Sequence, residues 1–279
     1  MAGNFVQLHN HTHYSLLDGA SKVPDLVKRV KELDMPAVGI TDHGNMHGAY
    51  ELWRAAVDSG VKPIIGIEAY VTPETARQDK TRVSWDTNWT PVPGHARNPD
   101  DVSGGGLITH LTMWAENDEG LVNLIKASSV ANLEGRVMRY PRMDKEVLST
   151  YSKGVIASSG CPSGIIQTRL RLGQFDEALR AAGEFQDIFG KDNFYIELMD
   201  HGLSIESKVT GDLLTIAKKL GAPLLATNDS HYVMEADKDA QDAMLCINSG
   251  ATLDDPNRFK FEGSGYYIKS AEEMRELFK

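Results

Sequence analysis

Nine side chains of metal-binding type lie at or just after the ends of short apolar runs in this 279-residue chain. Imidazole, carboxylate and thiolate groups are the ligands that transition metals take in proteins. Ions held by such groups can activate a water molecule for hydrolysis. The pattern therefore predicts a metal-dependent hydrolase. The nine candidates are His9, His11, Asp18, His43, Glu68, His110, Cys161, Asp229 and His231.

Local spacing within this set favours shared ions. His9 and His11 follow the apolar run 5–8, and side chains two residues apart on a strand point the same way. Asp229 and His231 repeat that spacing after another apolar run. Glu68 also follows such a run, and a carboxylate between two closely spaced cations reduces their repulsion.

Each candidate, taken alone, has an ordinary structural explanation. A lone histidine after a strand more often makes a structural hydrogen bond. Cys161 would be a small buried apolar residue, and Glu68 a helix-cap or ion-pair residue. The joint occurrence favours metal binding, because all but one of the predicted strands end in a ligand type.

The elements that must position these side chains alternate along the chain. Seven strand-like runs are separated by segments of helical periodicity, which predicts βα units and a parallel sheet. The predicted strands are residues 4–9, 36–41, 63–70, 107–115, 154–158, 193–199 and 222–227, and the clearest predicted helices are 24–33, 175–189 and 205–220. In a (β/α) barrel the carboxyl ends of the strands share one face, where the candidates would converge.

Composition agrees with one large domain. At 279 residues and 41% hydrophobic content, the chain can bury a substantial core. No apolar stretch approaches the roughly 20 residues of a membrane span, and the N-terminus lacks a basic region followed by an apolar one. Cys161 and Cys246 give no disulfide framework, so we expect a cytoplasmic location.

The formal net charge is −10, and bound divalent ions would reduce this charge without reversing it. A broad basic face that neutralises phosphates is therefore not expected. Any nucleic acid or phosphate must be held by the metals or delivered by a partner.

Residues 77–106 lack periodicity and are rich in proline, glycine and charge. A loop of this length in a compact domain is usually a functional cover or a mobile insertion. Trp85 and Trp89 could stack on bases, but we expect them to pack the loop onto the barrel.

The end of the chain breaks the alternation as well. Residues 259–268 predict an extended hairpin. Ser270 and Glu273 form a capping box that opens a helix running to Lys279. A chain that stops inside a helix is expected to be a fragment of something longer.

Five motifs together resemble one family. They are HNHTHYSLLDG (9–19), TDHGN (41–45), PIIGIE (63–68), GCPSG (160–164) and TNDSHY (227–232). The chain resembles the PHP (polymerase and histidinol phosphatase) domain, and more narrowly the N-terminal PHP domain of the bacterial replicative DNA polymerase III alpha subunit, of actinobacterial type. The resemblance covers essentially all 279 residues. No segment corresponds to the polymerase palm.

The resemblance implies a distorted seven-stranded (β/α) barrel, with the metal site at the carboxyl ends of its strands. It implies a single PHP domain over residues 1–279, with the barrel in 1–250, the long loop at 77–106 and an extension at 251–279 leading towards an absent polymerase core.

The resemblance also implies three divalent ions, zinc or manganese, and Asp18 and Asp229 are the residues expected to matter most for catalysis. By the family's pattern His9, His11, Glu68 and Asp229 would hold one ion, with Glu68 bridging to a second bound by His110 and Cys161, and Asp18, His43 and His231 would hold the third. His13 and His47 match no ligand position. Asn10, Asn228, Arg169 and Arg171 are candidates for orienting ligands or contacting phosphate, with an ordinary ion pair as the alternative for the two arginines.

Three functions follow from the resemblance. An intact ligand set implies a 3′→5′ exonuclease that removes mispaired nucleotides from a DNA 3′ end. Its partners would be that DNA end, the rest of the polymerase chain and, indirectly, the sliding clamp or replisome, with no membrane. The alternatives are a phosphomonoesterase of histidinol phosphatase type and an inactive scaffold. Missing ligands would indicate the scaffold, and none is missing.

Overall fold

The computed structural model describes residues 5–86, 88, 90, 98, 100, 101 and 105–279. The chain divides into two compact units. The first comprises Met1–Ile67, Met199–Leu203 and Ala226–Lys279, and the second comprises Glu68–Leu198 and Ser204–Leu225. The single domain expected over residues 1–279, with its extension at 251–279, stays a prediction.

The described residues form an α/β fold, as the sequence predicts. The strands are β1 Ala37–Ile40, β2 Lys62–Val71, β3 Thr109–Ala115, β4 Arg142–Met143, β5 Val155–Ser158, β6 Phe194–Leu198 and β7 Leu224–Ala226. The helices are α1 Val23–Glu32, α2 Ala49–Ser59, α3 Asp118–Glu134, α4 Lys145–Thr150, α5 Ile165–Arg171, α6 Phe175–Phe189, α7 Ser204–Leu220, α8 Lys238–Ser249 and α9 Ala271–Leu277. A single 3₁₀ turn at Glu235–Asp237 precedes α8. No helix in this described part is long and apolar enough to span a membrane.

The first unit is built around β1, which pairs in parallel with the beginning of β2 from Ala37↔Lys62 to Ile40↔Ile65. The strand predicted at residues 4–9 is not continuous where it is described. Isolated parallel bridges take its place, including Gln7↔Val38. The Asn10 amide adds side-chain bonds here, because it donates to the carbonyls of Gln7 and Gly39.

The core of the first unit lies between α1, β1 and α2. Apolar residues recur along α1 with helical spacing, so that one face is buried while its charged residues face outward. Each large aliphatic side chain buried here contributes about 1.5–3 kcal/mol. This core contains Val23, Leu26, Val27, Val30, Met35, Val38, Ile40, Leu52, Ala56, Val61, Val233 and Ile268.

The second unit contains strands in the order β2–β3–β5–β6–β7, with β4 paired to β2. β5 and β6 are parallel, but β3 runs antiparallel to β5, from Thr112↔Ser158 to Ala115↔Val155. The all-parallel sheet predicted from alternation is therefore wrong at β3. Apolar content does not encode strand direction, and the long connection before β3 is free to enter it from either end.

The part of loop 77–106 that is described packs onto the second unit. Trp85 is buried, and the Arg169 guanidinium lies 4.2 Å from the centre of its ring. The Gln174 amide donates to the Trp85 carbonyl at 2.8 Å. The packing role predicted for Trp85 is confirmed, whereas Trp89 lies outside the described residues.

The hairpin predicted at residues 259–268 is wrong, since no strand forms there. The backbone of this stretch bonds instead to another segment. His231 N–H donates to the Tyr266 carbonyl at 2.8 Å, and Ile268 N–H donates to the Val233 carbonyl at 3.2 Å. The predicted capping box of α9 is confirmed, with Ser270 and Glu273 bonding reciprocally.

Candidate metal centre

In the first unit, His9, His11 and Asp229 converge. The Nε2 atoms of His9 and His11 lie 3.3 and 3.1 Å from Asp229 Oδ1. Both imidazoles are fully buried. Their ligand atoms all lie within 4.8 Å of one another, which is close enough to surround one ion.

A second group in the first unit is Asp18, His43 and His231. His43 Nε2 lies 2.8 Å from Asp18 Oδ2, and His231 Nε2 lies 3.7 Å from the same oxygen. The other carboxylate oxygen of Asp18 is buried and has no hydrogen-bond partner among the described residues. An orphaned carboxylate oxygen beside two imidazoles is a position that a cation would satisfy. These residue types and spacings therefore fit a divalent ion.

The ring of His11 connects the two groups. Its centre lies 4.1 Å from that of His43 and 4.2 Å from that of His231. The ligand atoms of these three histidines also lie within 4.8 Å of one another. The two groups that the family's pattern assigns to separate ions therefore lie side by side.

Local backbone conformation brings Asp18 and Asp229 to these positions. Asp229 has φ of +44°, a left-handed conformation that aspartate tolerates better than most residues. The turn ahead of Asp18 contains Leu17 with φ of +61°. It closes at Gly19, where a Cβ would lie 2.2 Å from the Thr12 carbonyl oxygen. Only glycine fits that close approach.

Electrostatics leave the group in a state that can accept cations. Burial, with His43 and His231 nearby, lowers the pKa of His11 to about 3. Burial alone would raise the pKa of Asp18, but His231 and His43 outweigh it and hold that pKa well below the usual range. The neighbouring histidines likewise lower the pKa of Asp229 despite its burial. Neutral His11 and the ionised carboxylates are in forms that bind metal. Burial would lower the pKa of His231, but Asp18 and Asp229 outweigh it and raise that pKa, so a cation must displace a proton there.

Sequence reasoning missed Asp42 and Ser15. The Ser15 hydroxyl donates to Asp42 Oδ1 at 2.8 Å and lies 2.9 Å from His11 Nδ1. Because the hydroxyl proton goes to Asp42, His11 Nδ1 must donate to the Ser15 oxygen. That bond fixes the tautomer in which His11 Nε2 carries the lone pair facing Asp229. An acidic residue directly before His43 was the available signal.

In the second unit Glu68, His110 and Cys161 lie together. His110 Nδ1 is 3.2 Å from Glu68 Oε1 and 3.4 Å from Cys161 Sγ. His110 was predicted at the end of a strand, but it is the second residue of β3. Since β3 is antiparallel to β5, the beginning of β3 lies at the same edge as the end of β5, which Cys161 follows.

All nine candidates thus contact another candidate within their own unit. The bridging role of Glu68 towards the ion assigned to His9, His11 and Asp229 stays a prediction. His13 and His47 make no such contact among the interactions described for them: His13 lies near Ser21 and Glu51, and the His47 N–H donates to Asn45.

The four residues expected to orient ligands or contact phosphate have mainly structural partners. The Asn228 amide donates to the carbonyls of Gly265 and Tyr267 and accepts from Lys269. The Asn10 amide likewise donates to backbone carbonyls, those of Gln7 and Gly39. Arg169 pairs with Glu74 at 2.5 Å, which is the ion-pair alternative. Arg171 is buried and donates to Thr168 and to the Asp100 carbonyl.

The family model described as the PHP domain matches residues 7–201. The chain belongs to the PHP domain family. It is 53% identical over 275 residues to the DNA polymerase III subunit alpha of Mycobacterium leprae and 54% identical over 274 residues to that of Saccharopolyspora erythraea. These matches cover 99% and 98% of the chain. The resemblance to the actinobacterial polymerase subunit predicted from the motifs is confirmed.

This PHP chain spans 23% of the length of those relatives. A solved structure of a protein assigned as a metal-dependent phosphoesterase, from Bifidobacterium adolescentis, is also similar. It has a TM-score of 0.43 and 16% sequence identity, covering 98% of this chain and 95% of that one.

Proposed function

We propose that this PHP domain is a metal-dependent phosphodiesterase that acts as a 3′→5′ exonuclease on mispaired or single-stranded DNA ends. The observation that supports the proposal is the ligand set. Every position at which the family's pattern expects a ligand carries one, and each of these side chains contacts another. The relatives are replicative polymerase subunits, which handle primer ends.

The residues of the first unit would hold two ions, with His9, His11 and Asp229 around one and Asp18, His43 and His231 around the other. When bound, such ions lower the pKa of a water molecule and stabilise the entering and leaving oxygens of a phosphodiester. Ser15 and Asp42 hold His11 in its ligating tautomer. Ionised Asp18 and Asp229 supply the negative charge that an ion requires beside the imidazoles.

The donor set indicates which ions are suited. Imidazole and carboxylate suit zinc and manganese, which fits the first unit. Cys161, beside His110 in the second unit, tilts the choice there towards zinc, because a thiolate is a soft ligand. We expect three divalent ions per chain, measured by elemental analysis after loading with manganese or zinc.

The proposal is tested on a 5′-labelled single strand with manganese or zinc. The protein should shorten the strand from its 3′ end, and faster at a mispaired than a paired terminus, since a frayed end costs less to unstack. Asp18→Asn and Asp229→Asn should each lower the rate by about 100-fold or more, because a charged ligand is lost. His47→Ala is the matched control and should leave the rate unchanged.

The same preparations are assayed for phosphate release from histidinol phosphate. Rapid release without digestion of DNA would replace the exonuclease by a phosphomonoesterase. Failure of both reactions in protein that holds its metals would leave the scaffold function. Equal DNA digestion by Asp18→Asn and the unaltered protein would show that the activity comes from a contaminant or another site.

A further inference from the structure

A row of aromatic rings leads away from the ligand group of the first unit. The ring of Phe261 meets His231 edge to face, with centres 4.7 Å apart. Phe259 meets Phe261 in the same way at 5.9 Å. Phe259 is 63% exposed. The row therefore begins at a candidate metal ligand and ends in solvent.

Two further rings, those of Tyr266 and His201, pack beside this row. Phe261 packs on Tyr266 at 4.7 Å, and Tyr266 stacks on His201 at 4.1 Å. The backbone of Tyr266 is bonded to His231, as described above. The rings are thus fixed relative to His231 rather than carried on a separate arm. Lys260 lies between the two phenylalanines and is exposed.

A large exposed aromatic ring close to a candidate metal centre is suited to stacking on a nucleobase. Every nucleobase offers a flat face, and stacking on an aromatic side chain is tolerant of sequence. Lys260, adjacent to both phenylalanines in sequence, adds an exposed positive charge that favours the phosphate accompanying the base. A protein partner fits less well, because a specific protein interface needs roughly 800 Å² per partner. A small phosphate ester held at the ligand group would be too short to use Phe259.

We propose that Phe259 and Phe261 form a stacking platform for the bases near the 3′ end of a single strand whose terminal phosphodiester lies at the ligand group of the first unit. The inference rests on the proposed function and names the residues that receive its substrate. These residues lie outside the 7–201 match to the family model. The platform would bind the strand without reading its sequence, as proofreading requires.

Phe259 is the residue to test, because it lies one ring further from His231 than Phe261. Binding of a fluorescein-labelled, nuclease-resistant phosphorothioate decamer to the metal-loaded protein is measured by anisotropy. Phe259→Ala should weaken binding about fivefold, the lower end for loss of one stacked base. Tyr50→Ala, which removes an equally exposed ring on α2, is the matched control and should have no effect.

A second arm replaces bases near the 3′ end by abasic sites. If the platform stacks on them, abasic DNA should bind the unaltered protein about fivefold more weakly and should lose nothing further with Phe259→Ala. Equal binding by the variant and the unaltered protein, or an equal abasic penalty for both, would overturn the platform.

Hydrolysis of bis(p-nitrophenyl) phosphate separates the two proposals. Phe259→Ala should raise the KM for oligonucleotide about fivefold and should affect hydrolysis of this small diester less. If the unaltered protein hydrolyses neither substrate, the exonuclease proposal fails, and the binding measurements still decide the platform. Decamer binding that does not change with Phe259→Ala counts against the platform and leaves a protein ligand as the alternative.

Discussion

At the residue scale, the Ser15 hydroxyl bonds to two candidate ligands of the first unit and to Asp42. The Ser15 oxygen accepts from His11 Nδ1 and from the His43 N–H, and it donates to Asp42. Asp42 is in turn held by the N–H and hydroxyl of Thr12. This chain of bonds fixes two candidate ligands through one side chain.

Ser15→Ala should therefore weaken metal binding in the first unit by about tenfold, since a ligand loses the partner that sets its tautomer. Competition with a zinc-binding dye measures the change. Ser21→Ala is the control, because the buried Ser21 hydroxyl has no hydrogen-bond partner in the described part of the chain. Equal affinities of the two variants would show that Ser15 does not orient His11.

At the residue scale, the sequence predicts the candidate ligands but not the residues, such as Ser15, that hold them in orientation. The spacing of His9 and His11 indicates a shared ion without any structure. The contact between Ser15 and His11 depends on the path of the turn that includes Leu17 and Gly19. Nothing in the residue types alone specifies that path.

At the scale of elements, an acidic residue joins β2 to two helices. Glu74 follows β2, and its carboxylate contacts Arg169 of α5 at 2.5 Å and Arg180 of α6 at 2.6 Å. Burial alone would raise the pKa of Glu74, but Arg180 and Arg169 outweigh it and lower that pKa below 4.5.

A carboxylate whose pKa is lower in the folded than in the unfolded state stabilises the fold above the unfolded value, and that contribution is lost as the pH falls through the folded value. Glu74→Gln should cost about 1 kcal/mol of unfolding free energy at pH 7, after solvent screening, and less as the pH falls below 4.5. Urea unfolding at pH 7 and at lower pH measures both. Glu177→Gln, which removes the exposed partner of Arg180, should change the free energy less. A cost for Glu74→Gln that is independent of pH would contradict this assignment.

Amphipathic helices are the best predicted elements, because buried and exposed faces leave a period in the sequence. The bounds of α6 agree with residues 175–189, and α1 and α7 agree within one residue. Strand direction leaves no such trace, so the reversal of β3 was not foreseen. The hairpin at 259–268 failed because its backbone groups bond to residues 231–233, far away in sequence.

At the scale of the whole molecule, bound ions should stabilise the fold, because they bind the folded state only. Chelation should lower the melting temperature and expose Cys161 to a thiol reagent, since its metal partner is gone. The Cys246→Ser variant isolates the Cys161 signal, because both thiols are buried. The same rate of labelling before and after chelation would argue against a thiolate ligand.

The first unit is assembled from segments that are distant in the chain. Asn10 pairs with Ser230, Gln241 donates to the Asp18 carbonyl, and the Gln7 amide bonds to the Lys269 carbonyl 262 residues away. The second unit takes most of its residues from the uninterrupted stretch Glu68–Leu198. During synthesis this stretch is available for folding before Asp229 and His231, which contact the histidines near the N-terminus, have been made. Contacts of such sequence separation form slowly, so the candidate metal centre of the first unit is expected to be among the last features of the protein to form.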